Sequence, residues 1–194
     1  MQELFPFPIS NNPRLTLFSH ERDFRLPSSL VRVAVGEGVL QLHPEKQPLP
    51  PRITICTVLA SFGLSNNEIA NAVHNSTLTT KTQLDEARHR LQLLNRASIS
   101  RHYLQTGYYS LAQPIAPFLS DAEKLVVDGT SWGLTNREVA AELGLSHLTV
   151  KSHLARISDR TGWLGRERIT LAAFMSEEIS ALPAAGLADI EPVQ

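Results

Sequence analysis

Cysteine is all but missing from this chain: Cys56 stands alone among 194 residues. A single thiol excludes an internal disulfide framework and any C-x-x-C metal or redox pair. Cys56 sits in the apolar run Ile53 to Ala60 and reads as a small buried hydrophobe rather than a nucleophile. Long apolar stretches are missing too; nothing approaches the roughly 18 residues of a membrane span. The opening MQELFPFPIS lacks the basic start and apolar core of a secretory signal. These absences predict a soluble cytoplasmic protein with no membrane partner.

Catalytic signatures are lacking as well. G-x-x-x-x-G-K-[ST] and H-E-x-x-H do not occur; G-x-S-x-G occurs once, at Gly129 to Gly133, at the end of an expected helix rather than on the strand-to-helix turn that motif needs. The seven histidines show no ligand spacing; His147 and His153, six apart, miss the i, i+4 relation of a helical metal pair. No enzyme activity, metal or cofactor is expected. Nor is there an excess of either charge: 18 Lys and Arg face 19 Asp and Glu, a net −1. Taken whole, that balance argues mildly against a basic nucleic-acid footprint. Taken in parts it does not. The net charge is 0 over residues 1–48, +3 over 49–105, 0 over 119–174 and −4 over 175–194.

What the chain does have is an internal repeat. Residues 63–101 align with 133–171 at a constant offset of 70, without a gap, and 14 of the 39 positions are identical. Among the identities are Gly63/Gly133, Asn66/Asn136, Glu68/Glu138, Leu78/Leu148, Lys81/Lys151 and Arg96/Arg166. One small module is used twice.

The second copy is the more legible. Ser120-Asp-Ala-Glu123 and Thr135-Asn-Arg-Glu138 each fit a capping box opening a helix. Leu125 and Val126 are expected on the buried side of the first helix; Val139, Ala140 and Leu143 form one face of the second. Gly144 suits the left-handed residue that ends it. Ser146 can cap a third helix with Val150, Leu154 and Ile157 as its apolar stripe. Two short helices around a glycine turn make a helix-turn-helix arrangement. Opposite the stripe lie Ser152, Ala155 and Asp159, flanked by Lys151 and Arg156. Small residues at the centre of a helix face allow close approach to base edges, and cations at its margin suit phosphates. The same pattern also describes a solvated helix face. Trp132 and Trp163 are expected in the core.

Leu119 to Ala173 resembles the LuxR/GerE-type helix-turn-helix domain. The likeness rests on Leu119, Ser120 and Glu123, on Gly133 to Ala140, on Leu143-Gly-Leu-Ser146, on Thr149-Val-Lys-Ser-His-Leu154, and on Ile157, Gly162 and Arg166. It implies a four-helix domain whose third helix enters the major groove of double-stranded DNA. Carried over by position, Lys151 and Ser152 face DNA, while Thr149 and His153 seat the helix. Ala155 stands where many members have a polar residue. Arg156 and Arg160 add charge, with Arg166 in support from the fourth helix. In the family that fourth helix commonly dimerises. The resemblance therefore implies a homodimer or a regulatory protein partner, with RNA polymerase a further candidate.

The first copy, residues 49–105, resembles the family with departures. His74 replaces the turn glycine, and Asn75 is a candidate to take the left-handed role in its place. The signature becomes Thr79-Thr-Lys-Thr-Gln83. Its third helix presents Thr79, Lys81, Thr82, Asp85, Glu86 and Arg88. Two carboxylates on that face would repel phosphate, which favours an interaction or dimerisation module. Alternatively Asp85 or Glu86 accepts from cytosine N4 and the copy still binds DNA.

The expected fold is mainly α: two tandem four-helix modules, 49–105 and 119–174, after a small β-rich segment, 1–48. That segment carries a hairpin signal at Leu30 to Leu42 around Gly36-Glu-Gly38, and a third strand near Arg14 to Ser19. Phe5, Phe7, Phe18 and Phe24 are expected as local core. Residues 106–118 read as a linker and 175–194 as an acidic, frayed tail. The expected function is a bacterial-type, sequence-specific transcription regulator. The rival is an interaction module, such as an anti-activator or a subunit of a hetero-oligomeric regulator.

Overall fold

A computed structural model describes the backbone of residues 5–8, 15–19, 30–35, 38–43, 46 and 49–179, with side chains from residue 39 onward. It is mainly helical. Four helices, α1 (Pro51–Ser61), α2 (Asn66–Ala72), α3 (Thr77–Arg90) and α4 (Ser98–Gln105), are followed by α5 (Asp121–Ser131), α6 (Asn136–Leu143), α7 (His147–Thr161) and α8 (Arg166–Met175). The first three helices of each run begin at equivalent points of the repeat, Pro51 and Asp121, Asn66 and Asn136, Thr77 and His147.

The local chemistry explains the boundaries. Proline occupies the first position of α1, where its missing N–H is no loss. Ser65, Ser120 and Thr135 form full capping boxes with Glu68, Glu123 and Glu138. Ser76 and Ser146 cap α3 and α7. Gly144 is left-handed, φ 65°, as expected. In the first copy the left-handed residue is His74, φ 53°, and not Asn75. The turn keeps its length: Asn75 N donates to Ala70 O at 2.8 Å, as Leu145 N does to Ala140 O at 2.8 Å. The strained residue therefore stays in the glycine's place, at a cost of about 1–2 kcal/mol.

α1 is buried from Ile53 to Ser61. Its hydroxyls survive there by bonding the backbone: Thr57 Oγ1 donates to Ile53 O at 2.8 Å and Ser61 Oγ to Val58 O at 2.6 Å. Cys56 is fully buried, and burial pushes its thiol up to about 11. In α5 the buried face is Val126, Val127 and Thr130, whereas Leu125 is 58% exposed, contrary to expectation. The helix turns that residue away from the face set by its neighbours. Trp163 is buried; Trp132 is half-buried at the junction of the two runs.

An antiparallel sheet of order β1-β2-β3-β4-β5 adjoins the helices. Its strands are β1 (Phe5–Pro8), β2 (Leu15–Ser19), β3 (Leu30–Val35), β4 (Gly38–Leu42) and β5 (Tyr109–Gln113). β3 and β4 form the expected hairpin. β5 lies in the stretch expected to be a linker, and it pairs with β4 through Leu42↔Tyr109 and Leu40↔Leu111. The anchor is Tyr109, buried, stacked on Phe62 at 5.5 Å and bonded to Ser61 Oγ at 2.5 Å. The start of the tail is also ordered by contacts. Ile179 is buried, and Glu178 accepts from the backbone N–H of Phe118 and Leu119 at 2.8 and 2.7 Å. Residues 180–194, Phe24 and the side chains of Phe5, Phe7 and Phe18 lie outside the described residues.

The two helical runs share one core. α4 packs on α8, α8 on α1 and α4 on α5. Exchanging the halves maps this set onto itself, the mark of an isologous interface. The individual contacts across the seam are not equivalent pairs. Arg168 Nε donates to Phe62 O at 3.1 Å, while Asn95 Nδ2 donates to Gly133 O. Gly63 and Gly133 both have positive φ, 73° and 92°, and a Cβ on them would lie 2.6 Å from Arg168 and 3.2 Å from Asn95. Arg96 meets Glu167 at 3.6 Å. Arg101, buried, pairs with Asp128 at 2.6 Å and stacks on Trp132, 3.8 Å from the ring centre.

Candidate nucleic-acid interface

The α6–α7 pair positions the second-copy residues. Ser146 Oγ accepts from Thr149 N at 3.0 Å and lies 2.9 Å from the Thr149 hydroxyl. This fixes the first turn of α7 and leaves Thr149 half-buried. Val150 and Ile157 are fully buried and Leu154 half-buried, so the helix can present only its opposite face. On that face Lys151, Ser152, Ala155 and Arg156 are exposed. His153 is half-buried at its edge, with Nδ1 3.3 Å from Arg156 Nη2. These residues come together on one helix surface.

Arg160 and Arg166 do not join it. Arg160 Nη2 donates to Glu123 Oε2 at 2.9 Å and to Phe118 O at 2.8 Å, tying the end of α7 to the start of α5. Burial tends to raise the Glu123 carboxyl, but the hydrogen bonds from Arg160 and Ser120 outweigh it and hold it below the usual range. Arg166 donates to Leu134 O at 2.8 Å and to Asn136 Oδ1. Arg96, its counterpart in the first copy, bonds Leu64 O and Asn66 Oδ1 in the same way. Both arginines brace the loop between the first two helices of their own copy.

Further side chains belong to the surface and went unremarked in the sequence. Arg137 is exposed in the first turn of α6. Leu148 is 63% exposed in the first turn of α7, and Leu78 is 74% exposed at the matching point of α3. The signal for the leucines was their identity in both copies outside the buried stripe.

α3 carries a matching surface. Ser76 Oγ accepts from Thr79 N at 3.0 Å and lies 2.8 Å from the Thr79 hydroxyl. Thr79, Lys81, Thr82, Asp85 and Arg88 are exposed and Glu86 is half-buried. Each carboxylate has a cation beside it: Asp85 lies 3.8 Å from Arg88, and Glu86 2.6 Å from Arg90. Gln83, in the place of His153, accepts from Cys56 Sγ at 3.0 Å and Asn75 Nδ2 at 3.3 Å. Among the described residues no three His, Cys, Asp or Glu side chains are grouped to hold a metal ion.

Residues 117–172 match the family model GerE, bacterial regulatory proteins of the luxR family. This segment is a LuxR-family helix-turn-helix domain. Such a domain implies DNA binding and transcription regulation, and is typically non-enzymatic. The match begins after β5, takes in α5 to α7 and α8 as far as Ala172, and does not extend to residues 49–105. No curated protein and no solved structure matches the chain. No helix among the described residues is long and apolar enough to cross a membrane.

Proposed function

We propose that the chain is a sequence-specific transcription regulator that inserts α7 of its LuxR-family domain into the major groove. The observation that carries this is the exposed face of α7: Lys151, Ser152, Ala155 and Arg156, with Thr149 and His153 seating the helix. Lys151 and Arg156 supply charge to phosphates, and Ser152 and Ala155 allow close approach to base edges. Arg160 and Arg166 act on this reading by holding the helix in place. Residues 49–105 are a diverged second copy of the same module. The matched helix starts, the repeated caps and the twin Arg96 and Arg166 braces support that reading. The copy serves dimerisation in cis, docked through α4 and α8. The test is selection of the full chain on a pool of randomised duplexes. Wild type should enrich a defined sequence, and Lys151→Ala/Ser152→Ala should lose it. No enrichment would favour the rival, an anti-activator or a subunit of a hetero-oligomeric regulator. For that rival the exposed Leu78 and Leu148 would be docking residues.

A further inference from the structure

We infer that the chain binds DNA as a single copy on an asymmetric, two-part site, with α3 reading the second half. This rests on the proposed DNA-reading role of α7 and extends it to a site on the first module.

Three observations carry it. The surface through which a second chain would pair is already occupied. Every residue of α8 from Ile169 to Met175 is buried. The partners that bury it belong to the same chain: α1, α4, α5 and β4. Next, the docking is reciprocal. α4 packs on α8, and each of the two also packs on the other module's first helix, α4 on α5 and α8 on α1. Each module's fourth helix thus meets the other module's first and fourth helices, so α3 and α7 belong to two modules paired as the halves of a dimer pair. Finally, α3 keeps what such a helix needs. Its capped start repeats that of α7, with the serine accepting from the threonine N–H at 3.0 Å in both. Lys81 and Leu78 likewise repeat Lys151 and Leu148. The carboxylates that spoke against phosphate each lie beside an arginine, Asp85 by Arg88 and Glu86 by Arg90. α3 itself carries Lys81, Arg88 and Arg90 against Asp85 and Glu86.

The two reading faces nevertheless differ. Thr82, Asp85 and Glu86 occupy the places that Ser152, Ala155 and Arg156 hold in the second copy. Unlike faces read unlike sequences, so the two half-sites, about one helical turn apart, should not be palindromic. Tethering makes the second contact intramolecular, which a single chain can exploit without a partner.

The experiment selects the full chain, its Lys81→Ala/Thr82→Ala variant and its Lys151→Ala/Ser152→Ala variant on duplexes randomised over about three helical turns. The mass of each complex is then measured. The inference expects one chain per duplex and two unlike half-sites. The α3 variant should flatten one half and weaken binding about tenfold, the scale of one lost contact. Lys151→Ala/Ser152→Ala should flatten the other half and weaken binding more. Both substitutions are at exposed positions, so an unchanged melting temperature separates lost contact from lost fold. Two chains on a palindrome would overturn the inference while leaving the role of α7 intact. So would a single half-site indifferent to the α3 substitutions. Failure of wild type to enrich any sequence would remove the DNA-reading role itself, and this inference with it.

Discussion

Arginine shows how one residue type takes two roles a few positions apart. Arg156 is exposed on the outer face of α7, while Arg166 turns inward onto Leu134 O and Asn136. Hydrogen bonds to a charged group contribute about 1.5–3 kcal/mol each, so Arg166→Ala should lower stability by at least about 2 kcal/mol. On duplex DNA its salt dependence should stay that of wild type. Urea unfolding and a salt titration check the two halves of that prediction; a shallower salt slope would place Arg166 on phosphate after all. The sequence reading grouped Arg160 and Arg166 with the DNA contacts because a cation at a motif's edge looks the same solvated or braced. The distinguishing signal was in the repeat. Arg96/Arg166 and Asn66/Asn136 recur together, as expected of a pair that bond each other.

Helices were the most legible elements, because their starts depend on local chemistry. All three capping boxes open helices at their serine or threonine. They also make stability depend on acid. In Glu68 and Glu138 the backbone hydrogen bond to the cap lowers the carboxyl, aided by the cap's side chain and, for Glu68, by arginine charge. In Glu123, hydrogen bonds and Arg160 prevail over burial. A folded-state value below the unfolded one gives stability that is fully present above the ordinary glutamate value of about 4.3. It is lost as pH falls through the depressed value. The urea midpoint should therefore fall steadily below about pH 4.5, and Glu123→Gln should reduce that dependence while lowering the neutral-pH midpoint. An unchanged slope in the variant would contradict the part given to Arg160 and the cap. Less legible were Leu125 and β5. Leu125 depended on which way α5 turns, and β5 on β4, a partner strand that precedes the whole first helical run.

At the scale of the whole molecule, the sequence announced two copies but not their docking. The contacts between halves pair unlike positions, such as Asn95 with Gly133 and Arg101 with Asp128, so the repeat did not say which residues meet. Arg101 is the main anchor, joining α4 to Asp128 and Trp132 of α5 and lying 5.4 Å from the Phe174 ring. Arg101→Ala would leave the half-buried Asp128 without its cation and should cost about 3 kcal/mol. Because one core spans both halves, the loss should appear as a shifted single unfolding transition. Separate transitions for the two halves would show that the shared core does not couple them.

All of this positions one helix face, and the most direct test is the salt dependence of binding by wild type and Lys151→Ala to a duplex that wild type selects. If Lys151 meets phosphate on an inserted α7, the variant should bind every duplex more weakly, and its log–log salt slope should be shallower by about 0.9. Equal affinity and slope in the two proteins would contradict the assignment of α7 as the reading helix.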